Sequence, residues 1–328
     1  MATDLTRIGQ KARKEPKLVF TNLFHHVYDV DNLRACFESL DANKATGLDG
    51  VTKYEYGQNL EANLQDLSNR LKRMGFRPGA KRRSYVPKPG TTKGRPLGIS
   101  NLEDKIVEQA VKRVLEPIYE SMFEASSYGY RPRSSPHKCL DGLGRTIQQK
   151  CVNYIVESDV RSFFDKVNHE WMVKFLRHRI GDERIIRLIQ RMFKSGFMED
   201  GLVYASEEGV PQGSILSPLL SNVYLHYVLD LWFSRRFLKQ CRGQAYYFRF
   251  ADDFVACFQY QADASRFETQ LPTRLEGFGL EVAAEKTRCI AFGLLLANRP
   301  DNGDRNPRSS PSWDSPITAV RLVTAISS

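Results

Sequence analysis

The tetrapeptide Phe250-Ala251-Asp252-Asp253 sets two adjacent carboxylates between two apolar runs, residues 245–250 and 254–258. Short runs rich in Phe, Tyr and Val read as β-strands, and an acid pair between them reads as the turn of a hairpin. Taken alone, an Asp-Asp turn is simply a solvated turn. A third carboxylate changes that reading: Asp159 ends another strand-like run, Tyr154-Ile155-Val156, and is followed by Phe163-Phe164-Asp165. Three acids at strand ends of one sheet form a cage for two divalent metal ions, the arrangement that in-line phosphoryl transfer requires.

The rest of the chain supplies elements that can build such a sheet. Leu33, Phe37 and Leu40, then Leu60, Leu64 and Leu67, repeat at helical spacing, and residues 44–50 between them have the Gly and Asp content of a loop. Residues 70–95 hold ten basic side chains and no acid, interrupted by Ser84-Tyr85-Val86-Pro87 and Pro96-Leu97-Gly98-Ile99. These two stretches read as short strands of a basic hairpin, a surface suited to phosphates. Residues 104–123 are amphipathic with Pro117 inside, residues 128–137 form a loop, and 169–179 and 182–193 are helical. Residues 210–214 form a turn leading to a helix with Ser217 as N-cap, Pro218 at its first position, and Leu220, Tyr224, Tyr227 and Leu231 as its buried stripe. A helix near 262–278 and a strand over 280–292 complete a βαββαβ order, that of a ferredoxin-like sheet. Asp165 is expected to cap or pair with the helix that follows it.

Composition narrows the partners. The 328 residues carry a formal net charge of +10, which points to a polyanion, although charge alone does not separate nucleic acid from an anionic membrane surface. The six cysteines form no Cys-x-x-Cys pair and no zinc spacing, and no segment approaches a signal-peptide core or a membrane span. A reduced, cytoplasmic compartment without membrane contact is the simplest expectation.

Seven blocks then stand in a defined order: Lys44-Ala45-Thr46-Gly47-Leu48-Asp49-Gly50-Val51; Tyr85 to Gly90 with Arg95 to Ile99; Tyr128-Gly129-Tyr130-Arg131-Pro132; Asp159 to Asp165; Gly209 to Ser214; Phe250 to Asp253; and Gly279-Leu280 with Glu285-Lys286-Thr287. Over about residues 20–293 they resemble the reverse transcriptases encoded by bacterial group II introns. The resemblance implies an α+β right-hand polymerase: a helical N-terminal part over 1–66, fingers over 67–145, and an antiparallel ferredoxin-like palm over 146–293. It implies an RNA-directed DNA polymerase that extends a DNA primer on an RNA template with deoxynucleoside triphosphates and two Mg²⁺ ions. Intron RNA is a further expected partner. A maturase assisting intron splicing, or an inactive remnant, is the alternative.

Carried over by position, Asp159 and Asp252 would hold both ions and Asp253 would complete the acidic site. Lys88 and Arg95 would hold the triphosphate, where cations neutralise charge moving toward the leaving group. Phe164 would be the steric gate against a sugar 2′-hydroxyl, with Phe163 the competing core residue. Gln212 and Gly213 would lie under the nucleotide and templating base. Lys286 would be the general acid to pyrophosphate or else a solvated lysine, and Arg131 a template or primer contact or a surface arginine making none.

Two departures from the family pattern stand out. Phe250 replaces a usual Tyr, removing a hydroxyl while leaving a ring to pack. After Phe292-Gly293 the expected Phe-Leu-Gly-Phe primer-grip element and helical thumb do not follow, and the tail around Trp313-Asp314 gives that element only when read in a shifted frame. Residues from about 294 onward are therefore expected to be a frameshifted tail in place of the thumb.

Overall fold

The computed structural model describes residues 5–87, 94–199, 201–204 and 208–291. Lys88 and the tail from residue 292 lie outside the described residues. In chain order the helices and strands are α1 (Leu5–Lys14), α2 (Phe24–Tyr28), α3 (Val30–Ser39), α4 (Lys53–Gly57), α5 (Leu60–Lys72), β1 (Lys81–Pro87), β2 (Gly94–Ile99), α6 (Leu102–Tyr119), α7 (Pro136–Gln149) and β3 (Tyr154–Asp159). They continue with α8 (Phe163–Lys166), α9 (His169–Arg177), α10 (Glu183–Lys194), β4 (Phe197–Glu199), β5 (Leu202–Tyr204), α11 (Ser217–Leu225), β6 (Ala245–Phe250), β7 (Asp253–Phe258), α12 (Gln261–Glu276) and β8 (Arg288–Ala291). Contacts gather these into two units, one up to Phe123 together with Ser162–Tyr224, the other Glu124–Arg161 together with the chain from Leu225.

The first unit is organised on α6. Its buried Ile106, Val107, Ala110, Val111, Val114, Leu115 and Ile118 recur at helical spacing, and α1, α2 and α3 lie against it. The 44–50 loop is tied to the start of this helix: Leu48 N donates to Asn101 Oδ1 at 2.9 Å and Lys105 Nζ donates to the Ala45 carbonyl at 2.7 Å. Gly47 is required there, since a Cβ would stand 2.2 Å from Asn101 Oδ1. The expected basic hairpin is present as β1 and β2, but it belongs to a larger sheet of order β2-β1-β4-β5. The basic run over 70–95 does not form one phosphate face: Arg70 of α5 pairs with Asp66 and Glu103, Lys81 of β1 is buried against Glu108, and Arg82 donates to the Thr46 carbonyl.

Two helix caps differ from the sequence expectation. Ser217 is already helical and its hydroxyl donates to the Pro211 carbonyl at 2.8 Å, so it closes the preceding turn instead of capping α11. Asn168, not Asp165, caps α9 by accepting from Trp171 N at 3.0 Å.

The second unit holds the sheet β6-β7-β3-β8, antiparallel at every pairing. Its strand order is the ferredoxin-like one expected from the βαββαβ sequence. Alternation along the strands sends Ile155, Val255, Cys257 and Phe248 to α7, whose Cys139 and Leu143 cover them. Phe254 and Phe258 point the other way, against Phe267 of α12 and the helical segment carrying Phe233 and Phe237. That segment continues α11 through π-helical turns at His226–Asp230 and Phe233–Phe237. Each π turn advances the phase by about one residue. The stripe predicted from 3.6-residue spacing therefore fails beyond Tyr224: Val228, Leu229, Trp232, Phe233 and Phe237 are buried, while Tyr227 and Leu231 are half-buried. The final strand spans Arg288–Ala291 among the described residues, because residues 284–286 make a turn.

Candidate active site

Register brings the acids together. Asp159, the last residue of β3, pairs with Asp253, the first of β7, and Asp252 occupies the two-residue turn after Phe250. Glu157, Asp159 and Asp253 share the parity of Ile155 and Val255, so they stand on the α7 face of the sheet at the end away from Cys139 and Leu143. Burial, and then the negative charges of Asp159 and Asp252, push the Asp253 carboxyl up to about 7.

A cation already answers part of this charge. The ammonium of Lys286 bonds Asp159 Oδ2, and that bond raises the lysine's pKa. The turn that delivers it is fixed by Ala283 N donating to the Asp159 carbonyl at 2.9 Å and by the Ser158 and Thr287 hydroxyls, 2.9 Å apart. Asp159 Oδ1 is buried without a hydrogen-bond partner. Among the described residues no three His, Cys, Asp or Glu side chains already converge as a metal cage. The donor set nevertheless fits a divalent cation: hard carboxylate oxygens in cross-strand register, one orphaned buried oxygen, and a lysine standing as the positive charge.

The acid-bearing turn is held from beneath by a group the sequence reading overlooked. Arg249 is fully buried; its Nε and Nη2 reach Asp230 Oδ1 and Oδ2 at 2.8 and 2.7 Å, its Nη1 donates to the Ala251 carbonyl at 2.8 Å, and Nη2 also reaches Ser127 Oγ at 2.8 Å. Ala251 needs this support, for its φ of +58° is a left-handed conformation that a Cβ disfavours. The Tyr128 to Pro132 block closes over the same turn: Tyr128 N donates to the Arg249 carbonyl at 2.8 Å, and a Cβ on Gly129 would stand 2.1 Å from Ala251 N. Arg131 donates from its Nη1 to the Glu124 and Ser127 carbonyls at 2.8 and 2.7 Å, stapling this loop.

His226 lies beside the clamp, its Nδ1 3.8 Å from Asp230 Oδ2. Burial lowers its pKa from 6.5 to about 4 against the opposing pull of Asp230. The unfolded chain takes up a proton near pH 6.5 that the folded one refuses until about 4, so this histidine's contribution is intact above pH 6.5 and is lost as pH falls through that window. The shift corresponds to about 3 kcal/mol at the acid end. Urea unfolding of wild type and His226→Gln at pH 7 and pH 4.5 (about two points spanning the window) should show a shallower acid loss in the variant.

The substrate-side expectations fall in the first unit. Gly98 N donates to the Gln212 carbonyl at 2.7 Å, and Ile215 N donates to Glu108 Oε2 at 2.9 Å, fixing the 210–214 turn to β2 and α6. Gly213 has φ +98°, and a Cβ there would press the Gly98 carbonyl at 3.0 Å. Phe164 and Gln212 line a cavity of about 230 Å³ with Arg83, Gly98, Phe193 and Phe197. Gln212 Oε1 and Arg83 Nε are buried there without partners. Phe163 is the core residue of its pair, buried edge-on against Tyr224 at 6.2 Å. Arg95 is exposed and pairs with Val86, which puts it on the opposite face of the hairpin from Arg83, the partner of Gly98.

The family model described as reverse transcriptase (RNA-dependent DNA polymerase) matches residues 86–312. The chain belongs to the reverse transcriptase family. The chain is 36% identical to the protein YkfC of Escherichia coli (strain K12), over 64% of this chain and 62% of that one. It is 32% identical to the group II intron-encoded protein LtrA of Lactococcus lactis subsp. cremoris, over 68% of this chain and 37% of that one. The chain thus spans only part of the length of either relative. Among solved structures, apo telomerase from Candida tropicalis truncated from its C-terminal domain shares the fold, with TM-score 0.50 and 16% identity over 69% of this chain and 54% of that one. The α+β fingers-and-palm architecture expected of the family is present. Among the described residues no helix is long and apolar enough to cross a membrane.

Proposed function

We propose that this reverse transcriptase extends a DNA primer on an RNA template, transferring nucleotides from deoxynucleoside triphosphates in a Mg²⁺-dependent reaction. The observation that carries the reading is the cross-strand pairing of Asp159 with Asp253, beside Asp252, at the end of the palm sheet. Asp159, Asp252 and Asp253 would hold the two Mg²⁺ ions, which when bound lower the pKa of the primer 3′-hydroxyl and neutralise charge on the departing pyrophosphate. Lys286 yields its place on Asp159 and presents its ammonium as proton donor to that pyrophosphate. Arg249 keeps the turn, and with it Asp252 and Asp253, in one geometry. Lys88 and Arg95 are proposed for the triphosphate, and Gln212 and Gly213 for the base. Group II intron RNA is the proposed further partner, on the likeness to LtrA. The six cysteines are free, which supports a reduced, cytoplasmic setting.

The direct test is extension of a DNA primer on an oligoribonucleotide template, stopped by EDTA and restored by Mg²⁺. A folded preparation that adds no deoxynucleotide under these conditions would contradict the reading. Phe164, on the cavity, is proposed as the gate against ribonucleotides. Phe164→Ala should raise the ribonucleotide to deoxyribonucleotide ratio of kcat/KM by about tenfold or more, the scale of a lost steric contact in a pocket. An unchanged ratio would hand the gate to another residue.

A further inference from the structure

The basic run after α5 contains cations that the fold does not neutralise, and they meet others from α10. The turn that follows α5 places Met74 at φ +57°, and the carbonyls of Met74 and Phe76 accept hydrogen bonds from two arginines. Arg77 Nη1 donates to both, at 3.0 and 3.2 Å, and so does Arg191 Nη1, at 2.8 and 3.2 Å. Two guanidinium groups therefore crowd onto the same pair of oxygens. Arg187, one turn before Arg191 on α10, is exposed. The Arg73 side chain folds over the same turn, its Cγ 3.6 Å from the position a Cβ would take on Gly75. Burial and the like charges of Arg77 and Arg187 press the Arg191 pKa downward.

Neighbouring arginines are treated differently. Arg70, Arg177 and Arg184 are each paired with carboxylates. Among the described residues, Arg73, Arg77, Arg187 and Arg191 have no carboxylate partner, and in Arg77 and Arg191 only Nη1 is used by the fold. The Nε and Nη2 edge that remains is the planar fork that takes two oxygens of a phosphate. Like charges held this close, without acids between them, complement a polyanion that supplies several phosphates in a row.

We propose that Arg73, Arg77, Arg187 and Arg191 form a binding site for the phosphodiester backbone of an RNA strand. That the strand is RNA rests on the reverse transcriptase reading; the site itself rests on the four guanidinium groups. Binding is sequence-independent and salt-sensitive, because backbone contacts release counterions without reading bases.

The test measures binding of an unstructured oligoribonucleotide by fluorescence anisotropy over a salt series in EDTA, where no polymerisation occurs. Each lost phosphate contact to a single strand should reduce the slope of log K against log salt by about 0.7. Arg187→Gln, which breaks no hydrogen bond of the fold, should do so alone, and Arg77→Gln/Arg187→Gln should reduce it by about 1.4. Arg177→Gln removes the same charge from a residue already paired with Glu183 and should leave the slope unchanged. Unchanged slopes in the Arg187→Gln and double variants would overturn the proposal. An equal fall in Arg177→Gln would also overturn it, since the effect would then be one of net charge. If a DNA duplex or anionic phospholipid vesicles showed the Arg187-dependent slope and RNA did not, the RNA assignment would be wrong. Asp252→Asn should bind this RNA like wild type, so loss of polymerisation and loss of the arginine site are read separately.

Discussion

Asp252→Asn and Asp159→Asn should each lose nucleotide incorporation while remaining folded. The expected loss is about a thousandfold or more, because a metal-held carboxylate supports several kcal/mol of transition-state charge stabilisation and each 1.36 kcal/mol is tenfold in rate. An amide keeps the shape of the side chain and one acceptor oxygen, but it removes the charge that a divalent ion requires. The fold does not need that charge. Burial, and after it the negative charges of Asp159 and Asp252, push the Asp253 carboxyl up to about 7, so removing one of those two charges takes away one of the effects that disfavour ionising Asp253. Single-nucleotide incorporation on an RNA template, beside thermal melts of the same preparations, checks both halves. Near-normal incorporation by either folded variant would remove these residues from the chemistry.

Arg249→Met should be the most damaging substitution to the palm's stability, by about 3–5 kcal/mol, the usual cost of leaving one partner of a buried ion pair uncompensated. Both partners, Arg249 and Asp230, are fully buried, so no solvent screens the orphaned carboxylate. The same substitution removes donors from the Ala251 carbonyl and Ser127 Oγ. A loss of this size is a large part of the 5–15 kcal/mol that holds a typical domain, roughly speaking. Arg249→Met/Asp230→Leu should cost less than the two single changes added together, since the double variant leaves no lone charge. Urea unfolding of the four proteins gives the coupling directly, and strict additivity would mean that the pair is not the buried unit described.

The palm was legible because its signals are local and regular. Alternating apolar runs ending in acids specify strands, and strand order with intervening helices specifies a ferredoxin-like sheet. The clamp under the turn was less legible, yet it left a trace: Arg249 interrupts the apolar run Tyr246-Tyr247-Phe248, and an arginine in a buried strand demands an acidic partner. Which acid that would be depends on the phase of the helix carrying Asp230, and the π turn His226–Asp230 shifts that phase in a way periodicity does not show. The β4–β5 hairpin had a usable sign in Asp200-Gly201, a known hairpin dipeptide, between Phe197-Met198-Glu199 and the apolar Leu202-Val203-Tyr204. Helix α7 was hidden because Gly142 and Gly144 weaken its helical pattern. Lys81 and Arg70 looked like phosphate contacts only because their partners, Glu108 and Glu103, lie well over twenty residues away in sequence. A basic run divides into paired and unpaired charges only when the fold is known.

The most direct measurement of the central claim is Mn²⁺ binding, followed by the electron paramagnetic resonance of the free ion, in wild type and in Asp252→Asn. Mn²⁺ takes the same hard oxygen ligands as Mg²⁺ and needs no catalysis to be seen. Wild type should deplete the free-ion signal, and the folded Asp252→Asn protein should do so far less. Equal depletion by the two would contradict a divalent-cation site built on the acids of β3 and the β6–β7 turn.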